Sequence, residues 1–311
     1  MDISVSVNTV ATMFLLILVG FGVRKFGWVD KEASKKLSDL ILCVAQPFLL
    51  ISSIVNTEYS PTALKEGGLI ILLSFLLHVL SAGFAYLCSR PLKDKGESAI
   101  MQYALIFENA AFYGFPVLAA VLGEKGLFWG AFYCIIFNIL SWTYGMFVLS
   151  TANKSIKMNI KKVFVNFGTI PALIGVLIFV LRIPLPVPVK DTMSYFAGLS
   201  TPVSMLIIGG VLANLPFKKL FTNLKVYWLC LCKLVLFPVI IGAIVILIGL
   251  PRDIALFATL MASMPTAATT TVFGEKFGIQ PEYSALCVGI STVISVVTIP
   301  VITLVFDMIV K

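Results

Sequence analysis

The chain has 311 residues, of which 59% are apolar and only 12% charged, and its formal net charge is +8. Soluble domains carry about 25% charged residues, so this composition describes an integral membrane protein and leaves no room for a sizeable soluble domain. The basic residues sit in short segments between apolar runs, where they set membrane topology; nothing in their placement indicates nucleic acid as a partner.

Ten apolar runs follow one another. The first covers 5–23. It lacks a basic leader and a small-residue cleavage site, so it reads as a retained span rather than a signal peptide. A polar amphipathic connection at 24–36 leads to the second span, 37–55, with Gln46-Pro47 at its middle. The third, 68–88, holds the only histidine, His78, and a charged loop at 90–97 precedes the fourth, 99–122. The fifth, 127–150, contains Asn138 and Ser141, and a basic connection runs over 154–166. The sixth, 169–181, ends in a proline-rich turn at 182–188; the seventh, 193–212, carries Thr201-Pro202; a basic loop covers 218–225. The eighth, 227–250, contains Lys233 and Pro238. The ninth, 254–273, holds Met264-Pro265-Thr266-Ala267-Ala268-Thr269-Thr270-Thr271, and the tenth, 283–310, holds Ser291, Thr292, Ser295 and Pro300.

The fourth run is the unusual one. It is long enough to cross a bilayer, which takes roughly 20 residues. Its centre nevertheless reads Phe107-Glu108-Asn109-Ala110-Ala111-Phe112-Tyr113-Gly114-Phe115-Pro116. Pro116 lacks an N–H and opposes a carbonyl one turn back, and Gly114 leaves helical angles at little cost. A break is expected here. Backbone groups freed at membrane depth must be answered by protein or lie on a water-lined site, as in the discontinuous helices of secondary transporters.

Lysine and arginine are distributed unevenly. The segments after spans one, three, five, seven and nine hold 16 of them and the opposite side 6. The first set is expected in the cytoplasm and both termini outside. Prolines interrupt spans two, four, seven and nine. Pro47 and Pro202 are 155 positions apart, and Pro116 and Pro265 are 149 apart. Five spans per half is an odd number, so the second half enters the membrane inverted. The expected fold is all-α, with about ten transmembrane helices in two inverted five-helix repeats, 1–150 and 168–311, joined by a cytoplasmic connection at 151–167.

Most of the six cysteines lie within apolar runs and behave as small hydrophobes. No disulfide framework, metal site or cofactor motif emerges. There is no P-loop, no His-Glu-x-x-His and no catalytic set. An intramembrane enzyme is weakly supported.

Asn109 to Pro116 resembles the Asn-x-Gly-Phe-x-Gly-x-Pro motif of the auxin efflux carrier family, compact bacterial type, with Ala111 in place of the usual glycine. Met264-Pro265-Thr266-Ala267 and the 184–212 hairpin, with Thr201-Pro202 and Gly209-Gly210, are similar to it as well. The resemblance implies a scaffold domain and a transport domain, with broken helices four and nine crossing where both unwind. It implies elevator-type transport of organic anions, commonly carboxylates such as malate, in the plasma membrane, with a homodimer formed through the scaffold spans.

Two broken helices would present half-helix N-termini, each with free N–H groups and about half a positive charge. That environment suits a carboxylate. Asn109 either donates to the anion or caps the broken helix. The backbone around Gly114, Pro116 and Pro265 is the next candidate. Thr266, Thr269 and Thr270 either offer hydroxyls or bond back to their own helix. Gln46 and Asn138 either face the site or hold helices together. Tyr113 lines the pocket or packs against lipid. Glu108, Lys233 and His78 are the candidates for proton coupling, since ionisable groups within spans point to function. On a regular helix Glu108 and Asn109 point about 100° apart, so both face one site only if the helix is unwound. Lys233 has a stem long enough to snorkel toward the cytoplasm, and His78 has a structural reading as well.

The expected function is a secondary carrier of small carboxylates by alternating access. Its rivals are a cation–proton antiporter or sodium-coupled symporter on the same architecture, for which Glu108 is the one good ligand, and a membrane sensor that binds without transporting.

Overall fold

The computed structural model describes residues 3–156, 166–214 and 223–310. The basic residues at 157, 161, 162, 218, 219 and 311, counted above for topology, lie outside the described residues. Among the described residues the chain is all-α. Its helices are α1 (Ile3–Lys25), α2 (Lys31–Leu40), α3 (Gln46–Val55), α4 (Pro61–Ser89), α5 (Lys95–Ile106), α6 (Phe115–Leu140), α7 (Met146–Ser150) and α8 (Thr169–Leu181). They continue as α9 (Val187–Gly198), α10 (Ser200–Asn214), α11 (Leu224–Leu231), α12 (Phe237–Leu247), α13 (Arg252–Ser263), α14 (Thr269–Phe277) and α15 (Pro281–Ile309). Four π-helical turns, Ile41–Ala45, Ala110–Gly114, Ser141–Gly145 and Cys232–Leu236, join consecutive helices. Among the described residues six helical stretches are long and apolar enough to cross a bilayer.

The π-turns change the role expected of the prolines. Pro47, Pro116 and Pro238 each sit in the first turn of the helix that follows a π-turn. A proline ring crowds the turn before it, and a π-turn widens that turn. Pro202 lies near the start of α10, where a missing N–H costs little. Gly114 is helical, at φ −64° and ψ −50°. Neither Pro116 nor Gly114 therefore breaks the fourth span, contrary to expectation. The break lies upstream at 107–109, and Pro265 alone of these prolines falls in an unwound segment.

Gly123 does the work of a loop. At φ 62° and ψ −147° it takes a conformation that favours glycine, and the chain reverses there. A Cβ placed on Gly126 would lie 2.6 Å from the Leu118 carbonyl oxygen, and one on Gly130 would lie 2.8 Å from Leu118 Cδ1. Residues that a straight helix would hold far apart are thus in contact, and α6 comprises two helices folded against each other.

The helices sort into two sets. In one, α1 packs along α10, and α3 packs on α8 and α9. Gly20 and Gly209 let the α1 and α10 backbones touch: a Cβ on Gly209 would strike the backbone of Ile17 and Phe21. In the other, α4 packs on α5 and α6, α12 on α13, and α11 and α14 on α15. The apolar core divides along a different line. Residues of α5 share one cluster with α14 and α15, while residues from 110 to 135 share another with α13. The boundary between these two clusters is the break.

Candidate functional site

At the end of α5 the backbone becomes extended at Phe107 (φ −102°, ψ 119°). At the end of α13 it becomes extended at Met264 (φ −65°, ψ 145°). The two unwound segments meet as a single antiparallel bridge, Glu108 opposite Thr266. Asn109 N–H donates to the Pro265 carbonyl at 2.7 Å, and Ala267 N–H donates to the Phe107 carbonyl at 3.0 Å. Thr266 Oγ1 donates to the Ala104 carbonyl at 3.3 Å, and Ser291 Oγ accepts from Thr266 N–H at 3.2 Å. Several backbone groups lost to each helix are answered by the other break and others by neighbouring spans, which is the condition for unwinding at membrane depth. Two half-helices start here: the π-turn at Ala110 running into α6, and α14 at Thr269.

Asn109 does what a cap does. Its Oδ1 accepts from Phe112 N–H at 3.1 Å. That bond uses the oxygen and leaves the amide N–H₂ as donor. The side chain also lines a cavity of about 580 Å³ between the two helix sets. Phe112, Ala268, Thr271 and Thr292 wall it on one side, and Arg24, Ser38 and Ile207 on the other. Volumes of this order suit small-molecule sites.

Glu108, Lys233 and His78 come together although they belong to three different spans. Glu108 is 4% exposed, Lys233 1% and His78 3%. His78 Nε2 faces Glu108 Oε1 at 3.8 Å, and Lys233 Nζ faces Glu108 Oε2 at 4.0 Å. His78 Nδ1 lies 2.7 Å from the Ser74 carbonyl. A carbonyl only accepts, so Nδ1 carries the hydrogen and Nε2 is the atom turned to Glu108. Rings of Phe107, Tyr133 and Phe137 surround the imidazole at 5.8, 5.4 and 6.0 Å. Lys233 does not snorkel. Its Nζ donates to the Leu105 carbonyl at 2.8 Å. Leu105 would ordinarily bond to Asn109 N–H, but that donor is committed to Pro265. The lysine therefore fills a vacancy made by the break, at the negative end of α5.

The other expected residues are placed as follows. Thr266 is fully buried and held by the bonds above. Thr269 Oγ1 lies 3.2 Å from the Tyr103 hydroxyl, which also meets Ser141 Oγ at 2.7 Å. Thr270 is buried. Tyr113 and Pro116 are buried in the core beside Gly114. Asn138 Nδ2 donates to the Cys134 carbonyl of its own helix at 2.7 Å and packs against Gly168. Gln46 is buried at the start of α3. None of Gln46, Tyr113 or Asn138 lines the cavity at Asn109. Sequence reading did not single out Tyr103, Phe112 or Arg24 for the site. A tyrosine and a phenylalanine in apolar runs carry no signal apart from core packing.

An all-helical chain with six stretches able to cross a bilayer and a cavity beside two unwound segments suits a membrane transport protein. A family described as membrane transport protein matches residues 5–166 and 151–303. The chain belongs to that family, the auxin efflux carriers that its motifs resemble. It is 26% identical over 299 residues to an uncharacterized transporter of Methanothermobacter thermautotrophicus, covering 95% of this chain and 96% of that one. It is 24% identical over 314 residues to an uncharacterized transporter of Methanocaldococcus jannaschii, covering 95% and 97%. A 115-residue segment is 30% identical to a Rhizobium meliloti protein named "Putative malonate transporter", covering 37% of this chain and 35% of that one.

Proposed function

We propose that the protein is a secondary carrier of small carboxylates such as malate or malonate, which binds its anion at the crossover and works by alternating access. The observation that carries this reading is that Asn109 belongs to both the unwound crossover and the cavity. Its free amide N–H₂ and the amide ends of two half-helices form an anion-attracting surface without a buried arginine. The R. meliloti name supports the carboxylate class.

In this reading the chain consists of two inverted repeats, 1–150 and 168–311, around the connection at 151–167. The α1–α3 and α8–α10 set is the scaffold. The set carrying the crossover slides against it in elevator fashion, and a scaffold-mediated homodimer is consistent with that division. The protein sits in the plasma membrane with both termini outside, and the cavity beside Arg24 opens toward the cytoplasm. His78 Nε2 and Glu108 Oε1, facing each other without another hydrogen-bond partner among the described residues, are the groups that would share a coupling proton. Lys233 and Tyr133 complete their surroundings.

Counterflow of labelled malate and malonate in proteoliposomes, with and without a pH gradient, tests the reading. Protein-dependent exchange that responds to the gradient is expected. Exchange of neither acid would overturn the substrate assignment. Exchange indifferent to the gradient would remove the proton.

A further inference from the structure

We propose that the Lys233 ammonium is a tethered cation. It stands where a carrier of this architecture would hold a coupling alkali-metal ion, so the protein moves its cargo without sodium. The transport consequence rests on the carrier reading above; the site does not.

Carriers with broken helices coordinate such ions with the carbonyls at half-helix C-terminal ends and unwound backbone. Here α5 ends at Ile106 with a glutamate two residues on. Of the carbonyls that the break releases, Ala104 accepts from Thr266 and Phe107 from Ala267. Leu105 and Ile106 are left, and Lys233 Nζ takes the Leu105 oxygen at 2.8 Å while lying 4.0 Å from Glu108 Oε2. One carbonyl oxygen, one carboxylate and the negative end of a helix are ligands that suit a small cation. The charge that meets them arrives on a side chain from another span.

Two further observations fit. Lys233 is the only lysine or arginine buried among the described residues, and it does not line the cavity at Asn109, so its charge answers the break rather than the cargo. It also rides on the π-turn Cys232–Leu236, a local widening of the kind often found at functional positions. Removing the ammonium while keeping Glu108 would leave a space with a negative charge and a free carbonyl at its wall, which is a vacancy for sodium.

The test is thermal unfolding of the purified full chain in detergent, in sodium chloride and in choline chloride at equal ionic strength. The wild type and Lys233→Arg should unfold at the same temperature in both salts. Lys233→Ala should unfold at a lower temperature in choline and gain about 4 °C in sodium, the size of shift expected when an ion binds the folded state alone. No sodium response in Lys233→Ala would overturn the proposal, as would an equal response in the wild type. Should Lys233→Ala not fold, the wild type decides: malate exchange that stops in sodium-free buffer overturns the proposal, and unchanged exchange supports it. A sodium response in Lys233→Ala with exchange of neither malate nor malonate in the wild type would overturn the substrate assignment and leave the tethered cation standing.

Discussion

The two unwound segments face each other across one bridge, yet they are built from different chemistry. The first, 107–109, carries a carboxylate and an amide, leads into a π-turn, and starts its half-helix with a side-chain cap from Asn109. The second, 264–268, carries no charge, and Ala268 offers α14 no side-chain cap; its bonds come from the Thr266 hydroxyl and backbone and from Ser291. Both solve the same problem of backbone groups released in a medium without water. One does so in part with a charge drawn from another span, the Lys233 ammonium on the Leu105 carbonyl. The other draws on the Ser291 hydroxyl, which accepts from Thr266 N–H without bringing a charge to be compensated. The half-helix starts are therefore unequal as anion sites: the first adds the Asn109 amide at the cavity, whereas the hydroxyls of Thr269 and Thr271 at the second are engaged with Tyr103 and Ser284.

The largest expected effect lies at the first break. Asn109→Asp keeps a capping oxygen, and aspartate caps as well as asparagine, but it replaces the donor with a negative charge. Malate exchange should fall by about 100-fold or more, the loss expected for a hydrogen bond to a charged group together with repulsion. The unfolding temperature should stay near that of the wild type. Full exchange with this variant would reduce Asn109 to a cap and make the two breaks functionally alike.

Next is the charge itself. Glu108→Gln leaves Lys233 buried without its counter-charge and should destabilise the protein by about 3 kcal/mol, measured by denaturation in mixed micelles. Glu108→Gln combined with Lys233→Met should recover most of that loss, since the pair is removed together. A single variant as stable as wild type would mean that the pair carries no net charge interaction.

The second break should respond more weakly. Thr266→Val leaves the Ala104 carbonyl unpaired in the core, at a cost of about 1–2 kcal/mol. A cost as large as that of Glu108→Gln would erase the distinction between the breaks. Smallest of all is Thr270→Val. The buried Thr270 hydroxyl has no partner among the described residues, so exchanging it for a methyl should leave stability unchanged or raise it slightly. A loss would reveal a polar contact on α14.

Several features of the site were legible in sequence. A carboxylate, an amide, a glycine and a proline inside a run long enough to span the bilayer marked the fourth span as broken, and Met264-Pro265 marked the ninth. The cause of the break was misassigned, because a π-turn ahead of Pro116 absorbs the ring that would otherwise disrupt a regular helix. The bridge sets Glu108 opposite Thr266, 158 positions away, whereas Pro116 and Pro265 occupy different places relative to their breaks. Lys233 illustrates the limit most plainly. Its distance from the span end and its long stem point toward the membrane surface, and only the vacancy at Leu105, 128 positions away in the chain, holds it inside.

What the amino-acid sequence determined by itself was the medium, the number of apolar runs, two of the four spans it marked as interrupted, the fourth and the ninth, and the family. Hydropathy and proline chemistry act over a turn or two of chain, and they can be read there. The tertiary structure decided which unwound segments bond to each other. It decided that His78, Glu108 and Lys233 share one buried place, and that Asn109 alone of the expected polar residues reaches both the crossover and the cavity. Those outcomes depend on which freed donor finds which freed acceptor among helices distant in sequence, and no local pattern of residues encodes that pairing.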